Sequence, residues 1–180
     1  FHLVSASDYG VPQNRPRVIM IGIRSDLPIN TSLSRLSGGF IPEPSYGAPD
    51  LEQLLGDLID PEWTPGGSTT QYPHAARTSW QKNLRTRPDG SLMIKGSRLL
   101  EQDYSKHNDQ IIAKFQYMID NNGDIPESMK TKKFAQRVLP ATWGDRGPSI
   151  TATSLADDFV HYIQPRVPTV REWARLQTFP

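Results

Sequence analysis

The sequence predicts a mixed α+β fold: an antiparallel strand pair, a loop-rich middle holding two helices, and a closing helix. Three observations lead there. A short apolar run at residues 1–6 is followed by turn residues and then by a β-branched apolar run at 17–24. Ile111, Ile112, Phe115, Met118 and Ile119 recur at helical spacing. Proline supplies 16 of 180 residues, against a usual ~5%, and is spread along the whole chain, which shapes loops and counts against a helix bundle.

In order along the chain, residues 1–6 read as a strand and Ser7-Asp8-Tyr9-Gly10-Val11-Pro12 as turn chemistry. Residues 17–24 run Arg-Val-Ile-Met-Ile-Gly-Ile-Arg. Apolar on both faces, they predict a sheet-interior strand, covered above and below and paired antiparallel with the first. These elements make a first zone, residues 1–24. In the second zone, 25–164, residues 51–59 predict a short helix behind Asp50. Residues 105–122 predict the longest helix, stopped by Asn121-Asn122-Gly123, with its apolar stripe turned to the core. The remainder of that zone reads as loops with short strands. The third zone, 165–180, opens on a capping box: Thr169 caps the helix and Glu172 reaches back from its third position. Pro168 and Trp173 are placed for a hydrophobic staple. Val170, Trp173, Ala174 and Gln177 fall on one face, with Leu176 beside it, and Arg171 and Arg175 on another. An ordinary amphipathic helix accounts for all of them.

Cysteine is absent, which excludes a disulfide framework, a thiolate metal site and a cysteine nucleophile within these residues. His2, His74, His107 and His161 lie far apart without paired ligand spacing, so no metal site is expected. No nucleophile elbow and no glycine-rich phosphate or dinucleotide loop is present. No run approaches the ~18 apolar residues of a membrane span, and no basic-then-apolar leader opens the chain, so a cytoplasmic address is the expectation. Beginning mid-strand at Phe1 and stopping at Pro180 just past a helix, the chain reads as a fragment of something longer.

The net charge of +1 conceals segregation. Residues 40–65 carry Glu43, Asp50, Glu52, Asp57, Asp60 and Glu62 with no lysine or arginine. Residues 71–100 carry Arg77, Lys82, Arg85, Arg87, Lys95 and Arg98 against Asp89 alone. Residues 128–146 carry Lys130, Lys132, Lys133, Arg137 and Arg146 against Asp145. A solvated face explains either basic segment singly. Their interleaving with Trp80, Phe134 and Trp143 also fits nucleic acid, whose phosphates require clustered cations.

Gln13-Asn14-Arg15-Pro16-Arg17 is the unusual segment. Pro12 and Pro16 favour extended geometry in their predecessors. In an extended chain, positions 13, 15 and 17 point the same way at about 6.5 Å per pair. One amide and two guanidiniums would then line one face beside a buried strand. Burying cations there is costly without an acceptor. They either pair with carboxylates of their own chain or face an anionic or carbonyl-rich ligand.

The stretch Tyr9-Gly10-Val11-Pro12-Gln13-Asn14-Arg15-Pro16-Arg17 resembles the Gln-x-Arg-x-Arg motif of DNA (cytosine-5) methyltransferases, the eighth of their ordered motifs. Residues 169–180 resemble the ninth, with Arg171-Glu172-Trp173-Ala174-Arg175-Leu176 followed by Phe179-Pro180. Between them, Pro148-Ser149-Ile150-Thr151-Ala152-Thr153 resembles the threonine-bearing stretch that precedes the ninth motif, with Ala152 where leucine is common. In that family the segment between these motifs is the variable target recognition domain.

The resemblance implies a division into the end of a Rossmann-like catalytic domain (1–24), a target recognition domain (25–164) and an anchoring helix (165–180). It implies an enzyme that flips a cytosine out of double-stranded DNA, attacks C6 with a cysteine thiolate, transfers a methyl group from S-adenosylmethionine to C5, and then eliminates. The family's cofactor loop and its Pro-Cys motif are not in this sequence. The fragment alone is therefore expected to be inactive, to hold no cofactor, and to need the missing N-terminal catalytic region as its partner. By family position, Arg17 approaches O2 of the flipped cytosine and Arg15 and Gln13 support the site and the nearby DNA backbone. Thr151 touches phosphate, while Arg171, Glu172 and Arg175 organise the recognition domain. Arg146, between Gly144 and Gly147 with Asp145, is a candidate guanine reader, and Arg137 is the next. The resemblance places the intact enzyme in a prokaryotic cytoplasm, at the nucleoid, within restriction-modification. An alternative in another class is a non-catalytic DNA-binding module, or the recognition subunit of a split methyltransferase.

Overall fold

The computed structural model describes residues 2–28, 40–44, 47–130, 136–140 and 158–180. Strand β1, His2–Ser5, pairs antiparallel with β2, Pro16–Ile19, in the register His2 opposite Ile19 and Ser5 opposite Pro16. The expected strand pair is present. A 3-10 turn, Ala6–Tyr9, follows β1 and closes on Gly10 at φ 78°, a left-handed conformation that glycine adopts without steric cost. Among the described residues, the cover expected over a sheet interior at 17–24 is not present. β2 ends at Ile19, Val18 is 64% exposed and Met20 78% exposed. The sheet has two strands, and apolar composition buries nothing without a second layer to pack against.

Helix α1, Leu51–Leu55, is held by a capping box in which Asp50 accepts from the Gln53 N–H at 2.7 Å and the Asp50 N–H donates to Gln53 Oε1 at 3.2 Å. The single helix expected over 51–59 instead tightens into a 3-10 turn, Gly56–Leu58. Helix α2, Ser79–Asn83, is an element beyond those expected. Its cap, Thr78 with Gln81, is the same box in plain sequence. Helix α3, Asp109–Asp120, starts later than expected because the Asn108 side chain caps it, accepting from the Ile111 N–H at 2.9 Å. Its stripe behaves as predicted: Phe115 and Met118 are buried, with Ile111 and Ile119 packed against them. Strands β3, Arg137–Val138, and β4, Phe159–Val160, pair in parallel. Helix α4, Val170–Leu176, closes the fold with the expected Thr169–Glu172 box.

The larger core gathers Leu51, Leu54, Leu55 and Leu58 with Tyr72, Leu99, Phe159 and Leu176, so α4 shares a core with the middle of the chain. Over that core runs antiparallel chain, with Ser68 opposite Asp103 and Gln71 opposite Arg98. A second element beyond those expected is the hairpin 85–93. The Met93 N–H donates to Arg85 O at 2.9 Å, the Arg87 N–H to Ser91 O at 2.8 Å, and Thr86 faces Leu92. Arg87-Pro88-Asp89-Gly90 supplies its turn, with Gly90 at φ 82°. Proline presets the first corner and glycine takes the left-handed position, so the turn has a local cause written in four residues.

Candidate nucleic-acid interface

The segment before β2 is not extended. The Gln13 N–H donates to Val11 O at 2.7 Å and the Arg15 N–H to Gln13 O at 3.0 Å. Bonds across three residues are tight turns, which break the alternation of a strand. The common face expected for positions 13, 15 and 17 is therefore corrected. Gln13 is buried, Arg15 half-buried and Arg17 exposed. Gln13 Nε2 turns inward and donates to Leu176 O at 3.3 Å, which joins the first motif to the end of α4. Arg15 is engaged within the protein. Arg17 Nη1 donates only locally, to Pro16 O at 2.7 Å, and no described carboxylate pairs with it.

Helix α4 departs in part from the expected polarity: Leu176 is buried and Trp173 packs against the core, but charged residues join them. Val170 is 64% exposed, while Glu172, Arg175 and Leu176 form the buried side. The reason lies in partners far away in sequence. Arg175 donates to both oxygens of buried Asp57 and to Leu54 O at 2.9 Å. Asp57 also receives Arg85 Nη1 at 3.1 Å, and Arg85 lies 3.9 Å above the Tyr72 ring. One carboxylate thus serves two buried guanidiniums. Arg85 also reaches backbone carbonyls, with Nε donating to Met93 O at 2.6 Å and Nη1 to His74 O at 2.9 Å.

A second buried cluster sits at the N-terminal end of α4. Arg166 grips Glu172 at both oxygens, at 2.8 and 2.6 Å, and Gln102 Nε2 donates to Glu172 Oε1 at 3.0 Å. Burial alone would raise the Glu172 carboxyl, but the Arg166 charge, with hydrogen bonds from Arg166 and the Thr169 N–H, holds it at about 2. Burial lowers the neighbouring His161 imidazole to about 3, against the pull of Glu172. Its Nδ1 accepts the Ile163 and Gln164 N–H groups, and Nε2 stands 3.7 Å from Glu172 Oε1. His161 is therefore neutral at pH 7, and Arg166 is the counter-ion of Glu172. Arg171 is half-buried and donates to Leu100 O at 3.1 Å and Pro180 O at 2.7 Å.

Of the candidate base readers, Arg137 is exposed on β3 with its guanidinium 4.8 Å from the Phe159 ring. Arg146 and Thr151 lie outside the described residues. Within 71–100, Arg77, Lys82, Arg87, Lys95 and Arg98 are at least partly exposed, but Arg85 is not a surface cation: it is fully buried. Sequence reasoning missed the structural weight of Asp57, Arg85, His161 and Arg166. Only Asp57 left a trace, as a lone acid between Leu55 and Leu58 in an otherwise apolar run.

Known proteins are similar in sequence across nearly the whole chain. The sequence is 30% identical to the Type II methyltransferase M.DdeI of Desulfomicrobium norvegicum over 99% of this chain and 43% of that protein. It is 26% identical to M.XorII of Xanthomonas oryzae pv. oryzae over 100% of this chain and 42% of the relative, and 29% identical to M1.HphI of Haemophilus parahaemolyticus over 99% and 38%. The chain thus spans about two fifths of the length of the curated relatives it matches. The family model for C-5 cytosine-specific DNA methylases matches residues 1–180, from the segment ahead of Arg17 to the end of α4, and the chain belongs to that family.

Proposed function

We propose that this chain is the target-recognising portion of a DNA (cytosine-5) methyltransferase that modifies C5 of a flipped cytosine in double-stranded DNA. The observation that carries the reading is the family match over residues 1–180 in a chain spanning about two fifths of its relatives. The thiolate nucleophile would come from sequence outside these 180 residues, which contain no cysteine. Arg17 would contribute an exposed guanidinium, free of described carboxylates, to stabilise the charge that builds on the ring carbonyl after attack at C6. Gln13, bonded to Leu176 O, would position that segment against α4. Arg175 and Glu172 would hold α4 to the recognition region through their buried partners.

S-adenosylmethionine would supply the methyl group. One cavity among the described residues, of about 390 Å³, is lined by Asp60, Thr69, Tyr72, Lys95 and Gly96 among others and does not fit that cofactor. Asp60 already accepts from the Thr69 hydroxyl at 2.5 Å, and Tyr72 is 3% exposed, so neither a free carboxylate for ribose nor an open aromatic face for adenine is offered.

The test uses the full-length protein on duplexes carrying 5-fluorocytosine, where elimination is blocked and a covalent adduct accumulates. Adduct formation is expected with the parent and is expected to fall on the order of 100- to 1,000-fold with Arg17→Ala. A parent that forms no adduct and methylates no duplex would refute the enzymatic reading.

A further inference from the structure

We propose that the hairpin 85–93 and the turn after it form a phosphate-contacting surface for duplex DNA, with Arg87 and Lys95 as its contacts and Arg85 as its anchor. The proposal rests on the reading that this protein acts on DNA, and it assigns the contact to particular residues of that region.

Two successive tight turns carry the cations. Arg87 opens the Arg87–Gly90 turn, where the Gly90 N–H returns to Arg87 O at 2.9 Å. Lys95 occupies the second position of the Ile94–Ser97 turn, where the Ser97 N–H donates to Ile94 O at 3.0 Å and Gly96 takes φ 81°. Both side chains are exposed at these corners. Asp89 is the one acid between residues 71 and 100. It is turned back on its own loop, accepting the Ser91 N–H at 2.8 Å, and hydrogen bonds from Ser91, then the Arg87 charge, lower its carboxyl, so this one carboxylate offsets only part of the segment's positive charge.

The base of the hairpin is rigid in a way a solvated loop does not require. Arg85 is fully buried, and it ties Met93 O, His74 O and Asp57 together from beneath. Through Asp57 the same guanidinium is linked to Arg175 of α4, next to the carbonyl that holds Gln13. The hairpin base is thus joined through Asp57 and Arg175 to the helix whose Leu176 carbonyl accepts from Gln13. Leu92, 40% exposed, and Ile94, 66% exposed, lie beside the cationic corners, apolar surface suited to sugar faces along a groove.

The test is fluorescence anisotropy with the full-length protein and a labelled mixed-sequence duplex, titrated across salt. The parent is expected to bind with a steep loss of affinity as salt rises. At about 0.1 M salt, one lost phosphate contact is worth roughly eightfold, from a slope of ~0.9 per phosphate in log affinity against log salt. Arg87→Ala and Lys95→Ala are each expected to weaken binding by about that factor and lower the slope by about one. Arg87→Lys keeps the charge and is expected to retain most of the affinity. Melting temperatures should not move, since both side chains are exposed. If the parent binds and the double variant Arg87→Ala/Lys95→Ala binds with the same affinity and slope, the hairpin is not the contact, while the DNA reading stands. If the parent does not bind duplex DNA at any salt, the DNA reading falls and the hairpin proposal falls with it.

Discussion

The two ends of the chain carry arginine-rich motifs of similar appearance and treat them in opposite ways. Near the N-terminus, Arg17 lies exposed on a two-stranded sheet whose apolar residues are largely open. Near the C-terminus, Arg175 is fully buried, as is Arg166 just ahead of α4. The residue type is the same, and the difference is the partner. Folding brings Asp57 and Glu172 under the C-terminal arginines, and it brings no described carboxylate to Arg17. A buried guanidinium with its carboxylate is committed to holding the fold, whereas an exposed one remains available to a ligand.

Breaking the C-terminal side of this contrast should have the largest effect. Asp57→Asn leaves Arg85 and Arg175 buried without a counter-charge, and a loss of about 3–5 kcal/mol in urea unfolding is expected. A loss under about 1 kcal/mol would mean that the two arginines are satisfied by carbonyls alone. The second cluster predicts an acid-sensitive fold. Glu172 is held at about 2, below its usual 4.5, so its contribution is complete above about 4.5 and drains away as pH falls towards 2. His161 is held at about 3, below its usual 6.5, so the unfolded chain takes up its proton first and stability falls with pH from about 6.5 downwards. Both act in the same direction. Urea midpoints should decline from pH 7 to pH 4, and His161→Gln should flatten the upper part of that decline. Midpoints that stay level over this range would contradict the buried cluster.

Smaller effects sharpen the join between the two ends. Gln13→Ala removes the bond to Leu176 O and should cost about 1 kcal/mol. Arg17→Ala should change stability by less than about 0.5 kcal/mol while abolishing most adduct formation, the signature of a ligand-facing arginine. A destabilisation as large as that of Asp57→Asn would instead put Arg17 in the structural class.

Local rules make much of the fold legible. The capping box at Thr169, the cap at Asp50, the stripe of α3 and the turn linking the strand pair are all written within a few neighbouring residues, and each is present. The hairpin 85–93 and α2 carry equally local signals in Pro88-Asp89-Gly90 and Thr78-Ser79-Trp80-Gln81, obscured by the basic residues around them. The inside face of α4 has no such signal. Periodicity assigns burial to the apolar residues, and the structure buries Glu172 and Arg175 alongside Leu176 while leaving Val170 exposed. Their acceptors and donors stand far off along the chain: Asp57 is 118 residues from Arg175, and Gln102 is 70 from Glu172. The same limit applies to Gln13, whose acceptor is 163 residues away.

From its sequence alone, then, this chain declares a mixed fold, the starts of α1 and α4, its lack of any thiol, and its family through two motifs in order. The tertiary structure alone decided which arginines are spent inside and which face outward. Neighbouring residues dictate backbone geometry, but a charge can be buried only when a distant opposite charge arrives to meet it, and that meeting exists only in three dimensions.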